Sequence, residues 1–567
     1  MKLITTYRQT ACRLLAALFF LCLFAPMAAG QDNWKDHCAT QIANQNGGDG
    51  SSKERAIEIA TAKELAYFAQ QVNSKQSINY GDGKSIGPAG KDQAGGFMSY
   101  YFALSADIDL SDYDWTPIGN TTSFKGNFDG RGHCVNGLKV MKVETVSGEA
   151  YAGLFGYTYV GILRNLGVRL ADAGIQINST DGAVYAGGIA GYAHKIFNCY
   201  VVGEGRIEIH SSSGFGYVVG GIVGYLDTDG SLANCYATVN VKVEPEGMVY
   251  VGGIVGYGSS NSTISHTYAT GDVETGTGDN SRYAGGICGY LWSKGTLTNS
   301  LAVNGRIIGG NSFSNRIVGH KESDATLGTN YASPEIQVNG QTPPDNQVTN
   351  KNGANTYLDS FETDLKKEDS NGDWTTNWTF NPDKLPQLNN MGGNPPDAAI
   401  YLPSKHTLHI VSPTGGTLKV TDGNGTDLFD DSKIAPGTLL TLSYTENPNY
   451  RFSEYLSGSS ADNLRTLSGN TILMPDADLS LSVRFNYEDP TPPPPPPTVY
   501  YTVTLPFVEG AVTDPVAGDY EVESWSTFRF YLTLDADYDE SQPVVTTSLG
   551  ETLQPRTSDG AYLVKYV

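Results

Sequence analysis

One short phrase returns along the middle of this chain and constrains what it can fold into. It reads A-G-L-F-G-Y ending at Tyr157 and A-G-G-I-A-G-Y ending at Tyr192. V-G-G-I-V-G-Y follows at Tyr225 and Tyr257, then A-G-G-I-C-G-Y at Tyr290, and a worn copy, R-I-V-G-H, ends at His320. The steps between final positions are 35, 33, 32, 33 and 30 residues. A second phrase trails each copy: I-F-N-C-Y-V around Cys199, L-A-N-C-Y-A around Cys235, I-S-H-T-Y-A around Thr267, L-T-N-S-L-A around Ser300 and T-N-Y-A around Asn330. A period near 33 residues marks an array of stacked units rather than one irregular globule.

The units are β rather than helical. Glycines fall in the most regular stretch of each copy, and a glycine costs about 1 kcal/mol in a helix interior. The apolar runs are short, rich in Val, Ile and Tyr, and alternate, as in Arg206-Ile207-Glu208-Ile209, which is strand patterning. Each unit reads as about three short strands making one coil of a right-handed β-solenoid. Coils stacked ~4.8 Å apart would give a rod of roughly 30 Å for six of them. In the phrase G-G-I-x-G-Y, alternation sends Ile inward and Tyr to the other face. The predicted repeat positions are Gly156 with Tyr157, Gly191 with Tyr192, Gly224 with Tyr225, Gly256 with Tyr257 and Gly289 with Tyr290. Their glycines allow sharp bends or close backbone approach. Their tyrosines form a ladder that either stabilises the rod or offers a stacking platform to sugars. Cys199 and Cys235 share a register that Thr267 and Ser300 continue. That column reads as small residues, with a disulfide as the alternative, since a ~5 Å Cα spacing permits one.

Both ends carry capping signals. Thr61-Ala62-Lys63-Glu64 is a capping box opening an amphipathic helix through about Asn73, with Leu65, Phe68 and Val72 on one side. Such a helix would close the open N-terminal end of the rod, whose bare strand edges invite aggregation. Residues 31–150 are therefore read as cap and first coils, and 151–332 as the repeat solenoid. Residues 333–395 read as a long loop, Gly340 to Asp373, followed by a closing segment with Trp374, Trp378, Phe380, Leu385, Pro386 and Leu388. Two small β modules follow at 398–487 and 499–567, joined across 488–498 by the run Pro492 to Pro497, a polyproline linker.

Residues 1–30 read as a secretory signal. Lys2, Arg8 and Arg13 precede the apolar run Leu14 to Phe24, and Ala28-Ala29-Gly30 offers a small-residue cleavage site. The run is too short to span a bilayer, and Leu21 before Cys22 does not suit lipidation. No later stretch is apolar enough to cross a membrane. Five sparse cysteines then remain, Cys38, Cys134, Cys199, Cys235 and Cys288, which is not a disulfide framework. The net charge of −23 excludes a general nucleic-acid binder, whose surface is basic. The acidity is uneven: residues 151–332 carry 13 acids against 10 bases, while 498–567 carry 11 against 3, including Asp535, Asp537, Asp539 and Glu540. A nearly neutral rod suits glycans better than polyanions.

The phrases G-L-F-G, G-I-A-G, G-I-V-G and G-I-C-G resemble the GLUG motif of bacterial surface proteins. Upstream, Glu64-Leu65-Ala66, Asp107-Ile108-Asp109-Leu110, Trp115-Thr116-Pro117-Ile118-Gly119 and Phe124-Lys125-Gly126-Asn127-Phe128-Asp129-Gly130 resemble the leader of such repeats. Trp378 and Leu385-Pro386-Gln387-Leu388 fit their close. Residues His406 to Phe485 resemble a divergent internalin-type B-repeat, with Gly415-Gly416-Thr417, Pro436-Gly437-Thr438, Tyr450-Arg451-Phe452 and Met474-Pro475, and with Tyr455 where that family often has Trp. The resemblance implies an exported, adhesin-like surface protein of a gut or oral bacterium; the expectation is a monomer, extracellular or on the cell surface, that binds a glycan or protein. GLUG units also accompany streptococcal immunoglobulin A peptidases, which need H-E-x-x-H; no histidine here begins that motif, and no L-P-x-T-G sorting motif is present.

No catalytic, cofactor or metal motif is found, so the expectation is a noncatalytic protein without cofactors. The alternative is a carbohydrate-active β-helix enzyme, a lyase or hydrolase, which needs convergent carboxyls ~5–10 Å apart. Its candidates are Glu244 with Glu246 and Asp272 with Glu274, otherwise read as solvated edge charges. Asp422, Asn424 and Asp427, and separately Asp369, Asn371 and Asp373, have oxygen spacing suited to Ca²⁺ but lack the terminal bidentate Glu; turn chemistry accounts for them equally well.

Overall fold

The computed structural model describes residues 32–89, 95–179, 182–211, 216–244, 247–276, 281–343, 347–367, 369, 372–489, 499–538, 540 and 542–565. The predicted signal, the polyproline run, Glu246, Asn371 and Asp539 lie outside them. The chain divides into two units. One is Met1–Thr407 with Lys433–Thr438 and Leu473–Ala477; the other is Leu408–Ser432, Leu439–Ile472 and Asp478–Val567.

The first unit is a β-solenoid in which every repeat pairs in parallel with its predecessor. Tyr157 pairs Tyr192, Tyr192 pairs Tyr225, Tyr225 pairs Tyr257, Tyr257 pairs Tyr290, and Tyr290 pairs His320. The second phrase stacks the same way, Cys199 on Cys235 and Cys235 on Thr267. A coil contains four strand segments rather than three, as in Val249–Gly252, Val255–Gly258, Thr263–Ala269 and Val273–Glu274. The extra one is the short segment before each G-G pair. These segments form their own parallel sheet, from Glu149–Ala152 through Ala183–Gly187, Tyr217–Gly220, Val249–Gly252 and Arg282–Gly285 to Ser314–Asn315. Ile189, Ile222, Ile254, Ile287 and Ile317 are fully buried, so the inward isoleucine column exists as the alternation requires. The parallel ladder also extends upstream, through Ile57–Ile59, Tyr101–Leu104 and Asn127–Asp129 into the first long strand.

The second glycine of each pair is a packing requirement. A Cβ on Gly221 would lie 2.1 Å from the Gly253 carbonyl oxygen, one on Gly253 would lie 2.1 Å from that of Gly286, and one on Gly286 would lie 2.1 Å from that of Arg316. Real Cβ atoms do not approach backbone so closely, so each coil is bare here because the next one sits on it. In the last copy Arg316 takes this position. It is fully buried, and its guanidinium donates to the carbonyls of Ser333, Asn352 and Gly353 at 3.0–3.1 Å and to Asn355 Oδ1 at 2.6 Å. A buried cation is tolerated only when its donors are satisfied in this way. The worn copy is thus the repeat rewritten for the terminal coil.

At the other end, the helix Ala62–Ser74 has the predicted capping box, with Thr61 Oγ1 accepting from the Glu64 amide and Glu64 accepting from the Thr61 amide. Leu65, Phe68 and Val72 are buried. The Phe68 ring lies 4.6 Å from Phe102 and 5.5 Å from Phe124, joining the helix to the core of the first coils.

The stretch expected as a long loop, Gly340 to Asp373, contains the helix Phe361–Lys367, and the closing segment holds the helix Asp373–Thr376 and the antiparallel pair Trp378–Thr379 with Gln387–Leu388. The closing segment packs along the flank of the rod. Trp374, Trp378, Leu385 and Leu388 pack with Tyr200, Tyr236 and Tyr268, the tyrosines of the second phrase, whose rings stack 4.8–5.3 Å apart. Without this cover an apolar column would face water along the flank, a cost proportional to its area.

The second unit holds two β modules. In one, Gly416–Thr421 pairs antiparallel with Leu439–Glu446, and Tyr450–Gly458 with Leu479–Tyr487. Tyr455 is buried there and its hydroxyl donates to the Leu442 carbonyl at 3.3 Å. In the other, Tyr500–Leu505 pairs with Gly518–Glu523, and Thr527–Leu534 with Ala511–Asp514 and Tyr562–Lys565. Its core is Leu505, Val522, Phe528, Phe530 and Tyr562. Among the described residues no helix is long and apolar enough to cross a membrane.

Candidate functional site

The repeat tyrosines occupy an outer face of the solenoid, and the third glycine of the phrase sets their position. A Cβ on Gly224 would meet the Val218 carbonyl oxygen at 2.5 Å. Only glycine there lets the phrase strand press against the short strand of its own coil, leaving the next residue, Tyr225, pointing outward. Gly156, Gly191, Gly256 and Gly289 are similarly crowded by backbone at 2.6–2.9 Å.

From Tyr192 the ladder is a true stack. Tyr192 to Tyr225 is 4.8 Å between ring centroids, Tyr225 to Tyr257 5.0 Å and Tyr257 to Tyr290 5.4 Å, all within 9° of parallel. The first step, Tyr157 to Tyr192, is edge-to-face at 4.7 Å. A second column that the sequence reading missed runs beside it on the short strands. Tyr151 stacks on Tyr185 at 5.2 Å and Tyr250 on Tyr283 at 5.0 Å. Their signal was present, a Tyr two residues before the first glycine in Y-A-G and Y-V-G. The register slips once: Val218 stands between Tyr185 and Tyr250, and Tyr217 turns inward and is buried. The columns interlock edge-to-face, Tyr250 with Tyr257 at 5.2 Å and Tyr283 with Tyr290 at 5.1 Å, an arrangement aromatic quadrupoles favour.

Most hydroxyls along this face are engaged. Tyr192 donates to Asp227 Oδ1 at 2.6 Å, Tyr225 to Ser259 Oγ at 3.1 Å, Tyr151 and Tyr185 to the Glu149 carboxylate, and Tyr290 to Glu322. Burial pushes the Tyr185 and Tyr250 hydroxyls up to about 12, reinforced by Glu149 for the first and Tyr283 for the second. The ladder is therefore neutral at physiological pH. Its rings are mostly half-buried, but exposed rings flank it. Trp292 is 39% exposed and stacks at 27–30° to Tyr257 and Tyr290, at 6.3 and 5.7 Å. Tyr159 is 41% exposed, 6.2 Å from Tyr157. Four rungs separate these two levels, roughly 19 Å at the strand spacing. The face is thus a strip of neutral aromatic rings edged by the Glu149, Asp227 and Glu322 carboxylates, with an open ring toward each end.

The predicted acids that are described, Glu244, Asp272 and Glu274, each pair with a basic side chain of the chain itself. Glu244 receives the Lys242 ammonium at 2.5 Å and His210 Nδ1 at 2.9 Å, and these hold its carboxyl below the usual range, Lys242 first. Glu208, His210 and Glu244 have metal-like spacing, but Lys242 also reaches Glu208, at 3.2 Å, so a cation of the chain itself occupies the cluster. Asp272 and Glu274 both bind Arg306, at 2.8 and 2.6 Å. Asp422 accepts from the backbone amides of Asn424 and Thr426, and Asp427 pairs with Lys419, which is turn chemistry. Asp369 is turned to His266 Nε2 at 3.1 Å and to the Trp374 amide at 2.7 Å. Cys199 and Cys235 are free thiols, each donating to a carbonyl two residues back, and Thr267 Oγ1 donates to Ser300 Oγ at 3.1 Å in the same column. The small-residue reading of that column holds.

Another column was unread in the sequence. Asn165, Asn198, Asn234, His266 and Asn299 precede it by one residue and all have φ of +50 to +55°. Asparagine tolerates this left-handed conformation better than most residues; Asn299 separates two strand segments, and the other four lie within a strand.

Residues 215–242, the coil around Tyr225, match the family model for the GLUG motif. No curated protein matches the chain. A solved structure described as a candidate immunoglobulin A1 protease from Bacteroides ovatus is similar at 20% identity, with a TM-score of 0.40, over 61% of this chain and 95% of that one.

Proposed function

We propose that this GLUG-repeat solenoid belongs to a noncatalytic, adhesin-like protein, exported to the outside or surface of a bacterium, that retains glycans of a host or a microbial community. The observation that carries this reading is the interlocked tyrosine face with Trp292 and Tyr159 exposed on it. Aromatic faces bind apolar sugar faces without needing charge, and the rod around them is nearly neutral. A protein ligand would use the same surface. The apolar run and cleavage site in residues 1–30 support export. We further propose that the protein acts as a monomer and without a cofactor.

The test is retention of the full chain on a panel of immobilised glycans, run beside Trp292→Ala. Retention without cleavage, weakened about tenfold or more by Trp292→Ala, is expected; tenfold corresponds to ~1.4 kcal/mol. Depolymerisation of any glycan that Glu244→Gln abolishes would overturn the reading in favour of an enzyme. Retention indifferent to Trp292 would remove the aromatic face from it.

A further inference from the structure

Where the closing segment folds back on the solenoid flank it leaves a cleft of ≈ 470 Å³, within the range of small-molecule sites. One wall is the start of the asparagine column, Asn165 and Asn198; the other is Asn377, Asn389 and Asn390 of the closing segment. We propose that this cleft binds one residue of a neutral saccharide through its hydroxyls. The proposal rests on the cleft alone and stands apart from the aromatic face.

The chemistry of the walls selects the ligand. A side-chain amide both donates and accepts, as a sugar hydroxyl does, and five amides from two chain segments converge here. The charges in the lining balance, Glu54 and Asp129 against Lys53 and Arg131. Asp129 binds Arg164 Nε at 2.9 Å, Asn165 Nδ2 at 2.9 Å and the Arg131 amide at 2.9 Å. Arg131 binds Glu58. Lys53 and Glu54, of opposite sign, also line the cleft. An anion or cation would find no net opposite charge in the lining, whereas a polyol would find donors and acceptors.

Much of the site is held in place before any ligand arrives. Asn198 Nδ2 donates to Asn165 Oδ1 at 3.1 Å, and the Asn198 Oδ1 atom is buried with no hydrogen-bond partner among the described residues. Asn377 Nδ2 donates to Asp373 Oδ1 at 2.8 Å, which fixes the plane of its amide. Asn389 donates to the Thr376 carbonyl at 2.9 Å and accepts from Thr379 Oγ1 at 2.5 Å. Asn390 is exposed, with φ of +58°. Gly132 allows the approach of the two walls: a Cβ there would meet the Asn390 carbonyl oxygen at 2.5 Å. Preorganised donors lose little entropy on binding, which is how a small polar site gains affinity.

Calorimetric titration of the full chain tests this with the methyl glycosides of glucose, galactose, mannose and N-acetylglucosamine, and with glucuronate as the anionic comparison. The variants are Asn377→Ala and Asn390→Gly, the latter keeping the left-handed backbone, with Leu549→Ala, at an exposed position of the second unit, as control. Saturable binding of at least one neutral glycoside is expected, weakened about tenfold or more by either cleft variant, unchanged by Leu549→Ala and absent for glucuronate. Binding lost in Trp292→Ala and kept in the cleft variants would overturn the cleft while leaving the aromatic face intact. No saturable neutral binding, or tighter binding of glucuronate, would overturn the cleft outright. A glycoside dimer binding more tightly than its monomer would identify the occupant as a chain rather than a free sugar.

Discussion

The indole Nε1 of Trp378 donates to Oδ1 of Asn234 at 3.0 Å, across 144 residues of sequence. Asn234 belongs to the left-handed column of the repeat and Trp378 to the closing segment, so this bond joins the flank cover to the rod. Trp378→Phe keeps a ring but strands a buried acceptor, which costs about 1–3 kcal/mol. Urea denaturation should show that loss. Trp378→Ala, at about 3–5 kcal/mol, should also expose residues 347–395 to limited proteolysis before the repeats are cut. Equal resistance of the two regions would show that the cover is not a separable layer.

Gly253→Ala tests the coil-on-coil contact, because the new Cβ would lie 2.1 Å from the Gly286 carbonyl. Coils cannot part without breaking ladder hydrogen bonds, so a loss of about 1–3 kcal/mol or more is expected. Gly81→Ala, where nothing lies within 4 Å of the added carbon but φ is +55°, is the comparison for backbone strain alone. A melting temperature for Gly253→Ala no lower than for Gly81→Ala would contradict the stacking.

The tyrosine columns impose an alkaline limit. Tyr185 and Tyr250 titrate near 12 in the folded chain against an ordinary 10.0, burial being the main cause. The folded state therefore holds the proton more tightly. The stability this contributes is fully present below pH 10 and is lost as pH rises from about 10 through 12. Melting temperature should fall over that window, and Tyr250→Phe should fall less steeply. A phenolate absorbance difference between the native protein and Tyr250→Phe that appears at pH 10 rather than near 12 would rule the coupling out.

Thiol reactivity distinguishes the five cysteines after residue 31. Cys134, Cys199, Cys235 and Cys288 are buried, and burial raises the thiols of Cys134, Cys235 and Cys288, the last to about 12. Thiolate is the reactive form, so an aromatic disulfide reagent should modify Cys38 in the native chain and the other four only after unfolding. A pair that stays unreactive in denaturant would reveal a disulfide instead.

Much of the rod was legible because a repeat states its own register. The 33-residue step fixed which residues stack, alternation sent Ile254 inward and Tyr257 outward, and Thr61 with Glu64 announced the helix. The second tyrosine column was harder to see because one copy slips, placing Val218 where the others place Tyr. The left-handed column carries asparagine in four units and His266 in the fifth, but a left-handed φ leaves no period of its own.

The sequence alone determined the stacking, because parallel pairing between successive coils recurs at a constant offset and the same side chains meet at each step. Only the tertiary structure decided where residues 333–395 lie, which acids meet a cation, and that five asparagines line one cleft. Trp378 with Asn234, and Asn165 with Asn390, are brought together by folding a non-repeating segment onto the rod. No local propensity or period encodes such a contact; burial of the Tyr200, Tyr236 and Tyr268 column selects it.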